Sequence, residues 1–326
     1  MITVDDCEWH PHSPPDRAWT ETLYLAFAVP ERAIFGNAYV LARPDAGVAI
    51  STVSVSRGLC HRPYEVAFCD AQMHLPCPPS FREFRLANGL DVLARSPGSY
   101  RVSYQGTLPG CTFDLDFESI HEPFDPHDAE PHAMATADVR MGPEWMSGHW
   151  EAKGRIAGRL FLHGEEYPVD CYGAMNRSWG PRPEIGRRAV AWISLNFDAT
   201  LAFHVASLVR MEGATLVYGE LAFGFVADNG RIFRLTSAEV CATHRELMPD
   251  QASIVLCDER RRCWRIHARA IGGHPAYNFN PCHASFRALM QLRLGDTAGW
   301  GVVANIFGLD YLSRHCALSS SAAALG

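Results

Sequence analysis

One stretch of the chain gathers residue types that do chemistry: Tyr167-Pro-Val-Asp170-Cys-Tyr172-Gly-Ala-Met-Asn176-Arg177-Ser178-Trp179-Gly180-Pro181-Arg182-Pro183. A strand is expected to end here in a Trp-Gly-Pro-Arg turn that presents the Trp179 indole between the Arg177 guanidinium and the Asn176 amide. Such a rim offers a flat aromatic face beside hydrogen-bond donors, and an indole face attracts cations through its quadrupole. A structural corner, with Trp179 as core plug and Arg182 as its brace, fits the same residues. Further candidate acids fall on strands: Glu21, Glu151, Asp170, Asp198 and Glu220. Asp170 alternates with Tyr172, so both side chains point the same way. Glu220 sits in an apolar strand, where burial would raise its pKa. For each carboxylate, a place on the outer face of a barrel strand is the competing expectation. His204 adds one more titratable group, with a structural role as its alternative.

Other chemistries lack their motifs. There is no Walker loop, no GxGxxG after a strand, no GxSxG elbow and no HExxH, so nucleotide, serine-hydrolase and zincin readings have no support and no cofactor is expected. His10 and His12, and the group His121, His127 and His132, lie in Pro-rich loops that hold ligands poorly, so no metal is expected either. The net charge of −7 without a basic run gives no reason to expect nucleic acid as a partner. The 29 basic residues comprise one lysine, Lys153, and 28 arginines. A Schiff-base mechanism therefore has Lys153 as its sole candidate, beside the Glu151 strand start. Any other pocket cation is expected to be an arginine, Arg177 first among them. The 11 cysteines are odd in number and form no CxxC pair, which argues against a disulfide framework or a zinc knuckle. The acidic, Pro/His-rich N-terminus is not expected to be a signal peptide, and no apolar run reaches the roughly 18 residues of a membrane span. A cytoplasmic protein is expected. Nothing in the sequence speaks to its oligomeric state.

The elements that must position these residues read as β-strands. With 326 residues, 48% apolar and 20% charged, the chain can bury one large domain or two ordinary ones. Period-2 alternation broken by short turns runs through it. Cys111–Glu118 alternates almost perfectly, and Asn88-Gly89 marks a hairpin. Further hairpins are expected around His163–Glu165, Asp198, Asp228–Gly230, the arginines Arg260 to Arg262, and Gly295-Asp296. Residues 119–148 interrupt the pattern with Pro, Asp, Glu and His, and are expected to link two units, with a short helix near Ala133–Arg140. About 16–18 short strands without a repeat favour barrels or sandwiches. The expectation is an all-β protein of two antiparallel barrels, divided into residues 1–148 and 149–326.

The Ser178-Trp179-Gly180-Pro181-Arg182 turn, preceded by His149-Trp150-Glu151 and Gly154–Gly158, resembles the AttH-like and carotenoid 1,2-hydratase superfamily. The opening strand around Trp19 and Glu21 is similar as well. The resemblance implies two tandem lipocalin-like barrels, and it extends to the fungal lipocalin-type Diels–Alderases. Where relatives read Asp-His-Ser/Gln-Trp-Gly, this chain has Asn176-Arg177-Ser178-Trp179-Gly180. Where the carotenoid hydratases carry a Tyr-x-Asp pair, the nearest equivalents are His204 and Ala206.

The resemblance implies a hydratase or cyclase that uses a hydrophobic unsaturated small molecule, such as an isoprenoid or polyene, in an apolar pocket between the barrels. Protonating an alkene needs a strong acid and a cavity that shelters the cation. On this reading Asp170, Tyr172 and His204 are the acid–base candidates, Trp179 is the cation platform, and Arg177 and Asn176 are donors. Glu21, Glu151, Trp192 and Glu220 are the candidates for substrate contact. A pericyclic cyclase needs only a folded substrate and hydrogen bonds to a carbonyl that gains charge. A lipid- or terpenoid-binding protein without turnover is the third possibility.

Overall fold

The computed structural model describes residues 2–127, 147–182, 189–213, 215–280 and 282–315. The expected helix near Ala133–Arg140, and His132, lie outside them. Ten strands form the first unit: β1 (Trp19–Val29), β2 (Ile34–Arg43), β3 (Val48–Arg57), β4 (Phe68–Pro76), β5 (Glu83–Arg85), β6 (Leu90–Ser96), β7 (Ser99–Tyr104), β8 (Cys111–Ser119), β9 (Gly148–Leu162) and β10 (Glu165–Pro181). They hydrogen-bond in the order β4-β3-β2-β1-β10-β9-β8-β7-β6-β5. The sheet curls enough for the Tyr104 hydroxyl on β7 to donate to Asp70 on β4 at 2.7 Å. Its inner face holds the first core, with Leu23, Phe27, Phe117, Trp150, Ile156 and Met175 all fully buried. β8 shows the expected alternation, each buried residue followed by an exposed one.

The second unit closes on itself. Strands β11 (Ala189–Asn196), β12 (Leu201–Glu212), β13 (Thr215–Asp228), β14 (Arg231–Arg245), β15 (Met248–Asp258), β16 (Cys263–Asn280), β17 (His283–Leu294) and β18 (Thr297–Gly308) form an eight-stranded barrel. β11 pairs with both β12 and β18, which leaves no free edge. The molecule is thus all-β with two barrel-like units, one closed and one a curled sheet. Among the described residues no helix is long and apolar enough to cross a membrane.

Two expectations need correction. Residues 149–181 were expected in the second unit, yet β9 pairs with β8 and β10 pairs with β1, so both strands belong to the first sheet. A Pro- and acid-rich break signals a long connection but does not say which sheet the next strands join: β9 adds beside β8, and β10 then pairs with β1. The second correction concerns sulfur. Cys257 and Cys263 face each other in the β15–β16 register and form a disulfide across the hairpin. Spacing alone misses such a pair, because the turn brings together two cysteines that lie six positions apart. Cys7, Cys60, Cys69, Cys77, Cys111, Cys171 and Cys241 carry free thiols.

The units meet through their outer faces. Phe124, Ala206, Phe223 and Phe225 form one shared apolar cluster, and Tyr39, Leu41, Ile50 and Ala276 form another. Ser54 on β3 lies 3.0 Å from His274 Nε2 on β16, and Arg287 on β17 donates to Asn37 on β2 at 3.0 Å.

Candidate active site between the two units

Alternation along β9 decides what faces this interface. Trp150 and Ala152 turn into the first core, while His149, Glu151 and Lys153 turn outward. On β11 the pattern repeats: Ala191, Ile193 and Leu195 fill the barrel, while Val190, Trp192, Ser194 and Asn196 face the first sheet. Between the two faces lies a mainly apolar, half-open cleft with a volume of about 130 Å³. Its lining includes Tyr24, Asn176, Trp192, Trp300 and Val302, besides Glu151 and Lys153.

At one end of the cleft the polar groups converge. Glu151 and Lys153 are completely buried, with Lys153 Nζ 3.6 Å from Glu151 Oε2. The Trp192 indole N–H donates to Glu151 Oε1 at 2.6 Å, and His149 Nε2 lies 3.3 Å from the same oxygen. Nζ donates to Ser194 Oγ at 3.0 Å and contacts His204 Nδ1 at 3.1 Å. His204 is stacked with Phe223 and Phe225, whose ring planes tilt from it by 20° and 21°. Three buried polar atoms in this group make no hydrogen bond: Glu151 Oε2, His149 Nδ1 and His204 Nε2.

Electrostatics separates the roles. Burial alone would raise the pKa of Glu151, but the attraction of His204, Lys153 and His149 outweighs it and holds the carboxyl down at about 2. Burial drives His204 well below its ordinary value, against the opposing pull of Glu151. Burial also lowers Lys153 itself, to about 8, against the opposing pull of Glu151. The cleft therefore holds a permanent carboxylate beside an amine that can gain or lose a proton near neutral pH.

The backbone that carries this pair is braced from the far side. The segment after β8 runs along β9, where Phe124 and Glu151 exchange both backbone hydrogen bonds. The Lys153 backbone N–H donates to His121 Nε2 at 3.0 Å, while His121 Nδ1 lies 2.6 Å from the Glu122 carbonyl. The Nδ1-protonated tautomer satisfies both contacts. Burial lowers His121 to about 4, which keeps it neutral in this role.

The residues singled out from sequence divide three ways. Glu151, Trp192 and Asn176 line the cleft, and His204 lies behind Glu151 and Lys153 without lining it. Glu21, Arg177 and Trp179 lie on the opposite face of the first sheet. There Arg177 donates to Glu21 Oε2 at 2.8 Å and to the Asp6 and Glu8 carbonyls at 3.0 and 3.3 Å, with its guanidinium 4.4 Å from the Phe81 ring centre. Trp179 stacks on His10 at 3.6 Å against the first core. The expected turn is in fact continuous strand, because β10 runs through Gly180 to Pro181 while paired with β1. Gly148 has no Cβ because one would lie 2.1 Å from the Trp179 ring. Trp179 packs against the first core without forming a corner, and Arg182 Nη2 bonds to Ser178 Oγ on the cleft side rather than bracing Trp179.

Asp170 and Tyr172 do share a face with Asn176, but the second unit covers only part of it. Asp170 lies six residues from Asn176, roughly 20 Å along the strand. There it is 63% exposed and paired with Arg155 at 2.7 Å. Glu220 is exposed on β13 and does not line the cleft. Lys153 enters the sequence reading only as a Schiff-base candidate, His149 only as part of the stretch that carries the resemblance, and Ser194 not at all. The missed signal was His149-x-Glu151-x-Lys153, ionisable groups at period 2 whose run continues to Arg155 and is buried only where the second unit covers it. Among the described residues no group of three or more His, Cys, Asp or Glu side chains is arranged to hold a metal.

Comparison with known proteins places this geometry in a setting. A family described as "Domain of unknown function (DUF7064)" matches residues 3–306. No curated protein matches the sequence. Among solved structures, kievitone hydratase from Nectria haematococca is similar at 11% identity and a TM-score of 0.55, over 89% of this chain and 88% of that one. CghA solved with Sch210972 gives 11% and 0.53 over 89% and 88%. An AttH-type protein from Nitrosomonas europaea gives 12% and 0.59 over 91% and 96%. At such identities the likeness establishes the fold, which is the AttH-like, lipocalin-type one.

Proposed function

Because the chain belongs to the DUF7064 family and has the AttH-like fold, we propose that it is a cofactor-independent hydratase or cyclase for a hydrophobic unsaturated small molecule held between the two units. One observation carries the reading: an ionised Glu151 beside Lys153, both buried in an apolar cleft. Kievitone hydratase, whose name states its reaction, has the same fold.

The pKa values narrow the chemistry. Glu151, held near 2, is a base and not the acid that would protonate an isolated alkene. A proton on Lys153, near 8, is matched to proton transfer at neutral pH. It is too weak an acid for a simple alkene and suits a double bond conjugated to a carbonyl. For water addition, the ammonium of Lys153 gives its proton to the polarised substrate and Glu151 takes one from the attacking water. The proton then returns from Glu151 to Lys153 across the 3.6 Å gap. Run in reverse, the same steps remove water. Trp192, in place of Trp179, supplies the aromatic wall. The cleft volume of about 130 Å³ is close to the roughly 150 Å³ of a cavity that takes a benzene ring, so a ring-sized portion of substrate fits beside the pair.

The test is incubation with ring-bearing and isoprenoid enones, followed by mass spectrometry. The expected outcome is gain or loss of one water, or a cyclised isomer, with Lys153→Met and Glu151→Gln each slowing turnover about 100-fold or more. Recovery of unchanged ligand at stoichiometric occupancy would make this a binding protein. Turnover untouched by both substitutions would replace proton transfer with pericyclic pre-organisation, using donors such as Asn176 and Arg287.

A further inference from the structure

We propose that Lys153 Nζ forms a Schiff base with an aldehyde or ketone carbonyl of the ligand in the cleft; this deepens the reading above and rests on its placing a small molecule there. Three observations support it. Lys153 is the only lysine in the chain and it lines the cleft. Its Nζ is fully buried in an apolar setting, 5.9 Å from the Phe225 ring centre, where an ammonium is poorly solvated. Around it stand Ser194 Oγ at 3.0 Å and His204 Nδ1 at 3.1 Å, which hold Nζ in place, and the Glu151 carboxylate at 3.6 Å, which can take and return a proton.

The step balances without an oxidant or reductant. The ammonium loses one proton to solvent through the half-open side of the cleft, and the free amine attacks the carbonyl carbon. A C–N bond forms, the C=O π bond breaks, and the oxygen takes a proton to give a carbinolamine. The C–O bond then breaks and the oxygen leaves as water, carrying a second proton. The net change converts one carbonyl and one ammonium into one protonated imine and one water. The positive charge stays where Glu151 already faces it, so the ion pair survives the reaction. A C=C conjugated to that imine becomes electrophilic, which prepares it for water addition or ring closure.

The sole lysine makes the test clean, since the only other primary amine is that of the N-terminus. The folded protein is treated with cinnamaldehyde and sodium cyanoborohydride, and the reduced adduct is located by intact-mass measurement and peptide mapping. The expected result is one adduct on Lys153, forming faster as pH rises through about 8 and the ammonium gives way to amine. None should form at that position in Lys153→Met. Glu151→Gln, which removes the charge that favours the ammonium, should trap faster than the parent at neutral pH, an acceleration that a merely structural lysine would not show. Adduct confined to the N-terminal amine, or a Lys153 rate no greater than that of a free ε-amine, overturns the proposal. Turnover abolished in Lys153→Met without any trapping rejects the Schiff base and keeps the acid–base reading. Trapping at Lys153 without turnover of any enone does the reverse.

Discussion

The first sheet carries two fully buried ion pairs on opposite faces of neighbouring strands, and they differ in what lies beside them. On the inner face, Arg177 and Glu21 lie 2.8 Å apart. The guanidinium also reaches two main-chain carbonyls and Phe81, while Glu21 receives His10 as well. On the outer face, Lys153 and Glu151 lie 3.6 Å apart beside open space, and one carboxylate oxygen has no hydrogen bond. The first pair is a permanently charged clamp that ties the N-terminal segment to β1 and β10. The second combines a titratable amine with spare acceptor capacity and room for a ligand. Burial and charge are common to both. Each also keeps one buried polar atom without a hydrogen bond, Arg177 Nε and Glu151 Oε2, so the adjoining cleft is what distinguishes the reactive pair from the structural one.

The sharpest way to break this comparison is to cut each pair on one side. Arg177→Met leaves Glu21 buried without its cation and releases the carbonyls of Asp6 and Glu8. The expected cost is about 3–5 kcal/mol, read as a shifted urea midpoint. Turnover per folded molecule should be unchanged. Lys153→Met leaves Glu151 with its Trp192 and His149 contacts and with access to water in the cleft, so it should cost clearly less stability while removing activity. A larger stability loss at Lys153 than at Arg177 would reverse the assignment.

Removing both partners sharpens the contrast. Glu151→Leu combined with Lys153→Met replaces two desolvated charges with apolar atoms in an apolar cleft, and such swaps are neutral or stabilising by about 1–4 kcal/mol. Melting temperature should hold or rise while turnover disappears. The matching change at Glu21 and Arg177 should remain destabilising, because the Asp6 and Glu8 carbonyls lose their donor whether or not the carboxylate is present. If both double variants stabilise equally, the clamp is not structural.

Much of the fold was legible from alternation and turn chemistry, including the hairpins around Asn88-Gly89 and Asp228–Gly230 and the all-β class. What stayed hidden was which sheet β9 and β10 join, since strand pairing is a long-range choice that local pattern does not encode. The site was partly legible for the same reason. Period 2 correctly grouped Asp170 with Tyr172, and it should have separated Asn176 from Arg177 and Trp179. Grouping those three as one rim assumed that the strand ended in a turn. Because β10 continues, Asn176 faces the cleft while Arg177 and Trp179 face the core. Face assignment also leaves position along the strand undetermined. Glu151 and Arg155 share one face of β9, yet Glu151 lies under the second unit and Arg155 lies in solvent.

That last distinction yields the smallest predicted effect. Asp170 was the foremost carboxylate by sequence, and it sits on the cleft-facing side of β10 beyond the edge of the second unit. Its partner Arg155 is 54% exposed, and their pairing lowers the Asp170 pKa from the outside of the molecule, in reach of solvent and salt. Asp170→Asn should therefore leave turnover, its pH profile and the denaturation midpoint indistinguishable from the parent. Glu151→Gln, on the paired strand and the same face, should abolish most of the activity. A loss of turnover in Asp170→Asn would mean that substrate extends along the face at least as far as Tyr172, and the boundary of the site would move from the covered part of the strands to their exposed end.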